Sequence, residues 1–136
     1  DRPNYHVALR HRNHLGVMSA SPLAFNTGTV TLDLSLASTA TFGSDAQAFM
    51  GGRMMLWAGD NTRDGTVRYA GANNDRDPIL VSIGGTIPTG VVSGYLQTDV
   101  DLDGWVKYAG AGNDRDRVLL TIGGLAPTAQ RVAQLP

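Results

Sequence analysis

The sequence predicts an α+β chain: β-sandwich-like strands over residues 1–56, forming the end of a larger domain, then a duplicated loop and short-helix module over residues 57–136. Three observations carry this expectation. Apolar residues alternate with period two in the first half, the signature of half-buried strands. An internal repeat with an offset of 39 residues organises the second half. All twelve acidic residues are Asp, and nine of them lie between Asp60 and Asp116, inside that repeat.

Composition narrows the class further. A chain of 136 residues makes one ordinary domain or two small ones. With 42% hydrophobic and 17% charged residues, it is expected to fold. A formal net charge of −1 supplies no basic face, so no nucleic-acid partner is expected. No apolar run approaches about 18 residues, so no membrane span is expected. The absence of Cys removes disulfides and Cys-based zinc sites. It leaves the compartment open, because metals staple small domains as well. Asp1 stands where an initiator Met would, and strand-like sequence begins at Tyr5, so the start is read as that of a processed or truncated chain.

In order along the chain, Tyr5, Val7 and Leu9 alternate with His6, Ala8 and Arg10 and predict a strand. Leu15 to Ser19 is a second candidate. Thr29 to Leu36 alternates most cleanly and is the best strand of the first half. Gly51-Gly52 interrupts Ala46 to Trp57, which predicts a short element followed by a strand from Arg53 to Trp57. Four strands with one apolar face do not close a sandwich alone. They are expected to complete a sheet with further chain or with the second half.

The repeat aligns residues 60–85 with 99–124, with sixteen of 26 positions identical, and Pro88-Thr89 matches Pro127-Thr128. The copies therefore run over about 60–89 and 99–128. Two copies are too few for a solenoid and suit a pseudo-twofold pair.

Each copy opens on an acidic loop. Asp99-x-Asp101-x-Asp103-Gly104 has the spacing of a calcium loop: alternate side chains turn to a common centre, and the sixth-position Gly permits the sharp turn. The carbonyl of Trp105 at the seventh position joins the set. Position twelve, where a bidentate Glu would stand, is Gly110, so a later Asp must close the loop, either Asp114 or Asp116. The first copy offers Asp60, Thr62, Asp64 and Thr66, with Asp75 or Asp77. Its third position is Thr62 and Arg63 adds positive charge, so the second loop is expected to hold Ca2+ more tightly. Two Ca2+ sites follow. Mg2+ fits less well, because it demands stricter octahedral geometry. The bland reading of the same loops is Asx turns and Asp–Arg surface pairs.

After each loop, Asp77 and Asp116 stand where helix N-caps would, Pro78 suits a first turn, and Gly123 suits the C′ position. Two-turn helices are expected, although the β-branched run Ile79 to Ile83 also fits a buried strand.

The doubled Asp-x-Asp-x-Asp-Gly loop with its Leu-containing helix resembles type I dockerin modules, over about residues 57–128. That resemblance implies paired calcium loop–helix units and treats Val106 to Asn113 as an insertion before the closing Asp. The segment His11 to Met18 and the paired Tyr-x-Gly-x-x-Asn-Asp-Arg-Asp stretches look like the C-terminal region of large secreted or cell-surface proteins of Gram-negative bacteria. This implies an extracellular or cell-surface setting and brings no catalytic residues.

No Ser/His/Asp arrangement, Gly-x-Ser-x-Gly elbow or phosphate loop appears, so no enzyme is expected. His6, His11 and His14 are read as exposed strand-end residues beside Arg10 and Arg12, not as zinc ligands. Tyr69 and Tyr108 are expected to pack over the loops. The expected role is structural: assembly or adhesion of a surface protein or filament, with a protein partner or self-assembly. A dockerin-like binding module and an accessory carbohydrate-binding domain are the alternatives, with polysaccharide as the partner of the last.

Overall fold

The computed structural model describes residues 4–26 and 28–136. Asp1 and its reading as a processed start lie outside the described residues. The chain is mixed α+β and strand-rich, with two short helices and five two-stranded antiparallel sheets among the described residues, and none of these closes a barrel. No helix is long and apolar enough to cross a membrane among the described residues. Two compact units form. One takes the described residues of Asp1–Arg10, Gly16–Trp57 and Ala133–Pro136, and the other takes His11–Leu15 and Ala58–Val132.

The first unit holds three ladders. Strand β1 (Asn4–Tyr5) pairs with β4 (Leu23–Ala24), and β2 (Ala8–Leu9) pairs with β3 (Val17–Met18). The single strand expected from Tyr5 to Arg10 is thus broken at His6-Val7. The physical cause is Ser19: its hydroxyl takes the Val7 N–H, its N–H donates to the Val7 carbonyl, and its carbonyl lies 2.9 Å from His6 Nδ1. The Thr29 to Leu36 strand does not form. The stretch is still extended enough that Val30, Leu32 and Leu34 are half-buried while Thr31 and Asp33 are exposed. It has no ladder partner, and Asp33 turns the chain by accepting the N–H and hydroxyl of Ser35. The strand expected from Arg53 to Trp57 forms over Arg53–Leu56, and the short element before it is also a strand: β5 (Gln47–Met50) pairs with β6 (Arg53–Leu56) as a hairpin across Gly51-Gly52. Their φ values of 59° and 78° are the pair a two-residue hairpin turn requires, and only Gly adopts both without strain. These paired ladders replace the two packed sheets of a sandwich. The buried apolar set of this unit is small, namely Val17, Met18, Ala46 and Ala48, while Phe49 and Met50 are exposed.

The second unit is built from the repeat, and each copy is strand, helix, strand. The first copy is β7 (Thr66–Arg68), α1 (Asp77–Ser82) and β8 (Val91–Ser93). The second is β9 (Trp105–Lys107), α2 (Asp114–Thr121) and β10 (Gln130–Val132). Pairing is crossed: β10 returns to β7, and β8 pairs with β9. Helix α1 packs on β9, and α2 packs on β7 as well as on its own β9. The core carries the same symmetry. Val67 and Val106 are fully buried, as are Ile79 and Val118, and Leu15 and Val100 join them. Gly59, at φ 108°, sits close to the second helix: a Cβ there would be strained by the backbone and would stand a tight 3.3 Å from Val118 Cγ2.

Both helices end the same way. Gly123 N donates to Leu120 O and Gly124 N to Leu119 O, and Gly84 and Gly85 repeat this on Val81 and Leu80. This pair of hydrogen bonds, with positive φ at the first Gly, is a Schellman stop. The helix reading over the β-branched run therefore stands, and Gly123 is the C′ residue.

Candidate metal centre

The loops begin with a shared backbone. Arg63 and Leu102, at the fourth position of each, have φ of 60° and 64°, and the sixth-position Gly65 and Gly104 have 79° and 87°. Two left-handed residues in one short loop fold it back on its first Asp, so that the amides point inward. The strain of a non-Gly residue at positive φ is about 1 kcal/mol and is held by the surrounding hydrogen bonds.

The residue that closes each loop is settled by the strand that follows it. After Trp105 the chain runs out along β9 and returns through a turn, so that Asp114 comes back against Val100 and Asp101. Asp114 Oδ1 accepts from Val100 N at 2.6 Å and Asp101 N at 3.3 Å, and Oδ2 accepts from Lys107 N at 2.8 Å. Asp75 does the same in the first copy, accepting from Thr62 N at 2.9 Å and Arg68 N at 2.8 Å, with the Thr62 hydroxyl at 3.2 Å. Both side chains are fully buried. Burial pushes the Asp75 carboxyl up to about 6, with the amides of Arg68 and Thr62 opposing and the Asp60 charge adding. Burial likewise raises Asp114 and Asp60.

Asp116 and Asp77 lie elsewhere, which corrects the cap assignment. Asn113 is the N-cap of α2: its Oδ1 accepts from Asp116 N at 2.9 Å, and its Nδ2 donates to Asp116 Oδ2 at 2.8 Å. Asn74 and Asp77 repeat both contacts, at 2.9 and 2.8 Å. Each Asn side chain thus brackets the Asp three residues on, taking its N–H and giving its own amide to the carboxylate. The two Asp carboxylates also pair with the neighbouring Arg76 and Arg115, each at 3.1 Å. Those arginines stand over Tyr69 and Tyr108, 5.3 and 5.1 Å from the ring centres, so the tyrosines pack on arginines. In the repeated Asn-Asp-Arg-Asp, then, the Asn brackets the second Asp just ahead of the helix, as the N-cap itself in α2 but not in α1, whose N-cap position is Arg76 with no side-chain cap bond. The first Asp closes the loop, and the Arg covers the ring.

The second loop gathers a candidate cation site. Carboxylate oxygens of Asp99, Asp101 and Asp114 all lie within 4.8 Å of one another. Asp99 is 2% exposed, and its Oδ1 is buried with no hydrogen-bond partner among the described residues. Such an oxygen normally costs free energy unless a proton or cation meets it. Hard carboxylate oxygens, and nothing softer, suit Ca2+. Of the other expected ligands, Asp103 is exposed, accepting from Trp105 N at 2.8 Å and pairing with Lys107 Nζ at 2.9 Å. Asp116 is held by Asn113 and Arg115. In the first loop, Asp60 Oδ1 and Oδ2 accept from Asp64 N and Gly65 N, both at 3.1 Å. Asp64 accepts from Thr66 N at 2.9 Å and pairs with Arg68. Thr62 hydrogen-bonds to Asp75, Thr66 lies in β7, and Asp77 is held by Asn74 and Arg76. No second group of three acids gathers there among the described residues.

Residues 11–15 supply what the sequence did not reveal. Asn13 is fully buried and donates from Nδ2 to the carbonyls of Gln97 and Asp99, each at 2.7 Å. Its Oδ1 lies 2.8 Å from His14 Nδ1, and the His14 ring meets His11 edge-on at 4.4 Å. Arg12 Nη2 donates to Asp99 Oδ2 at 3.3 Å. His14 is half-buried and Arg12 nearly buried, contrary to the exposed strand-end expectation. Arg12 and Asp99 are 87 residues apart, and no local pattern marks such a pair. Asn74 and Asn113, by contrast, stand at equivalent positions in the two copies of the repeat. No protein-family model, curated protein or solved structure matches the chain.

Proposed function

We propose that this chain is a non-catalytic, extracellular or cell-surface module with dockerin-like duplicated calcium loops, serving assembly or adhesion. Calcium is structural in this reading, tightest at Asp99, Asp101 and Asp114 and weaker at the first loop. The observation that carries it is the buried, unpartnered Asp99 Oδ1 inside a group of three carboxylates. Calcium there supplies positive charge to buried carboxylates whose mutual repulsion the protein meets only in part, through Arg12 at 3.3 Å and Arg117 at 3.9 Å. An ion that binds the folded loop and not the unfolded chain raises stability by linkage, by about 2.7 kcal/mol at a hundredfold excess over Kd.

The test is thermal unfolding in calcium against chelator, paired with calorimetric titration. A higher melting temperature in calcium and a tighter site that Asp101→Asn removes are expected. An unchanged melting temperature with excess chelator sinks the structural role.

A second reading, a docking module with its own protein partner, is favoured by two exposed side chains at equivalent repeat positions. Val81 is 71% and Leu120 60% exposed, one on each helix. Electron microscopy of the native material separates the two readings: filaments belong to assembly. An accessory carbohydrate-binding role predicts affinity for polysaccharide, read by the same calorimetry.

A further inference from the structure

We propose that Arg12 is a tethered counter-ion of the second loop, and that a cation entering between Asp99, Asp101 and Asp114 must first push the guanidinium off Asp99. The inference rests on the calcium reading above and concerns how that site is regulated.

The 11–15 segment is fastened to the repeat by its backbone and by Asn13. Gly59 N donates to Asn13 O at 2.8 Å, and Asn13 Nδ2 holds the Gln97 and Asp99 carbonyls. Its neighbour Arg12 is thereby delivered to the mouth of the loop. The Arg12 side chain is 11% exposed and that of Asp99 3%, so both charges are taken largely out of water. A guanidinium so placed ordinarily spreads its donors over several acceptors. Arg12 does not: among the described residues Nη2 makes the one side-chain hydrogen bond, at a long 3.3 Å, and Nε and Nη1 are buried with no partner. Its carbon lies 3.7 Å above the centre of the Tyr95 ring, which holds it by cation–π attraction. Tyr95 itself is 86% exposed. The ring forms an outer wall of a cavity of about 320 Å³, lined also by Arg12, Asp99, Leu102 and Gly104.

The contact is therefore a charge placed beside Asp99 without the hydrogen bonds that would lock it there. The first loop has no such device: Asp60 takes no ion pair among the described residues, and its oxygens are occupied by backbone amides. A divalent ion among the three carboxylates and a guanidinium on one of them repel each other in a partly desolvated setting, where charges act strongly. Binding of the ion thus works against Arg12, and release of Arg12 frees it to move with Tyr95.

Calorimetric titration of the whole chain with calcium chloride tests this. Arg12→Gln, which removes the charge and keeps most of the stem, should tighten the second site by about tenfold or more. Arg53→Gln, a charge loss in the other unit, should leave Kd within about twofold. Equal Kd in wild type and Arg12→Gln, or a weaker Kd in Arg12→Gln, overturns the counter-ion role and leaves the calcium reading standing. No calcium binding in either chain overturns both. A measurement on the wild-type chain guards against a variant that fails to fold. The Arg12 side-chain proton resonances, shifted by the Tyr95 ring, should move towards unshifted positions on calcium saturation. Unmoved resonances at saturation overturn the displacement.

Discussion

The loop beginning at Asp60 and the loop beginning at Asp99 share a backbone and differ in where one amide goes. With Thr62 at the third position, Asp64 N donates to Asp60 Oδ1, and both Asp60 oxygens are satisfied. With Asp101 there instead, Asp103 N donates to Asp101 Oδ1 at 3.3 Å, and Asp99 keeps one oxygen free. One side chain reroutes a hydrogen bond, and the residue left with a buried, unpartnered oxygen is one of the three clustered acids. A duplicated loop can thus be self-satisfied in one copy and poised for a cation in the other, with the fold unchanged.

The largest expected effect comes from the closing residues. Asp75→Ala and Asp114→Ala each strip buried backbone amides of their acceptor and should cost about 3 kcal/mol or more. Urea unfolding of both in calcium and in chelator sharpens the contrast. Asp114→Ala should also forfeit most of the calcium-dependent stability, and Asp75→Ala a small part of it. Equal calcium-dependent losses break the asymmetry between the loops.

Acid should act on the second loop's support. Burial first, and then the neighbouring His11 charge, hold His14 down at about 4, below its ordinary 6.5. The folded state then binds fewer protons than the unfolded one between these values. His14 therefore contributes stability that is fully present above 6.5 and lost as pH falls towards 4, on the order of 2 kcal/mol after allowing for its partial exposure. Asp75, raised to about 6, slopes the other way, losing stability as pH rises through that value. The difference between wild type and His14→Gln isolates the His14 part. A flat difference between about pH 4 and 7 removes it.

The smallest expected effect is symmetric. Asn113→Ala removes the cap of α2 and Asn74→Ala the matching Asn–Asp bracket ahead of α1, and each should cost about 1 kcal/mol. Unequal losses, measured by denaturant midpoint at constant slope, show that the two helices are not equivalently anchored.

Much of this is legible along the chain because it is local. Gly51-Gly52 marks the hairpin through its φ demands, and Gly84-Gly85 and Gly123-Gly124 mark the helix stops for the same reason. Thr29 to Leu36 misleads, because alternation sets which side chains face inward but supplies no ladder partner. The strands of the repeat span three residues each, too short to show a period. Asp116 reads as the cap in place of Asn113, because both are good caps and lie three residues apart.

By itself the sequence determined the duplication, the Asp-only acid set, the loop spacing and the turn glycines, since each depends on residues within one loop or one turn. The tertiary structure alone decided that Asp114 and not Asp116 joins Asp99 and Asp101, that each copy's last strand pairs with the other copy, and that Arg12 meets Asp99. Those outcomes depend on burial and charge shared between residues far apart in the chain, which no spacing along the chain encodes.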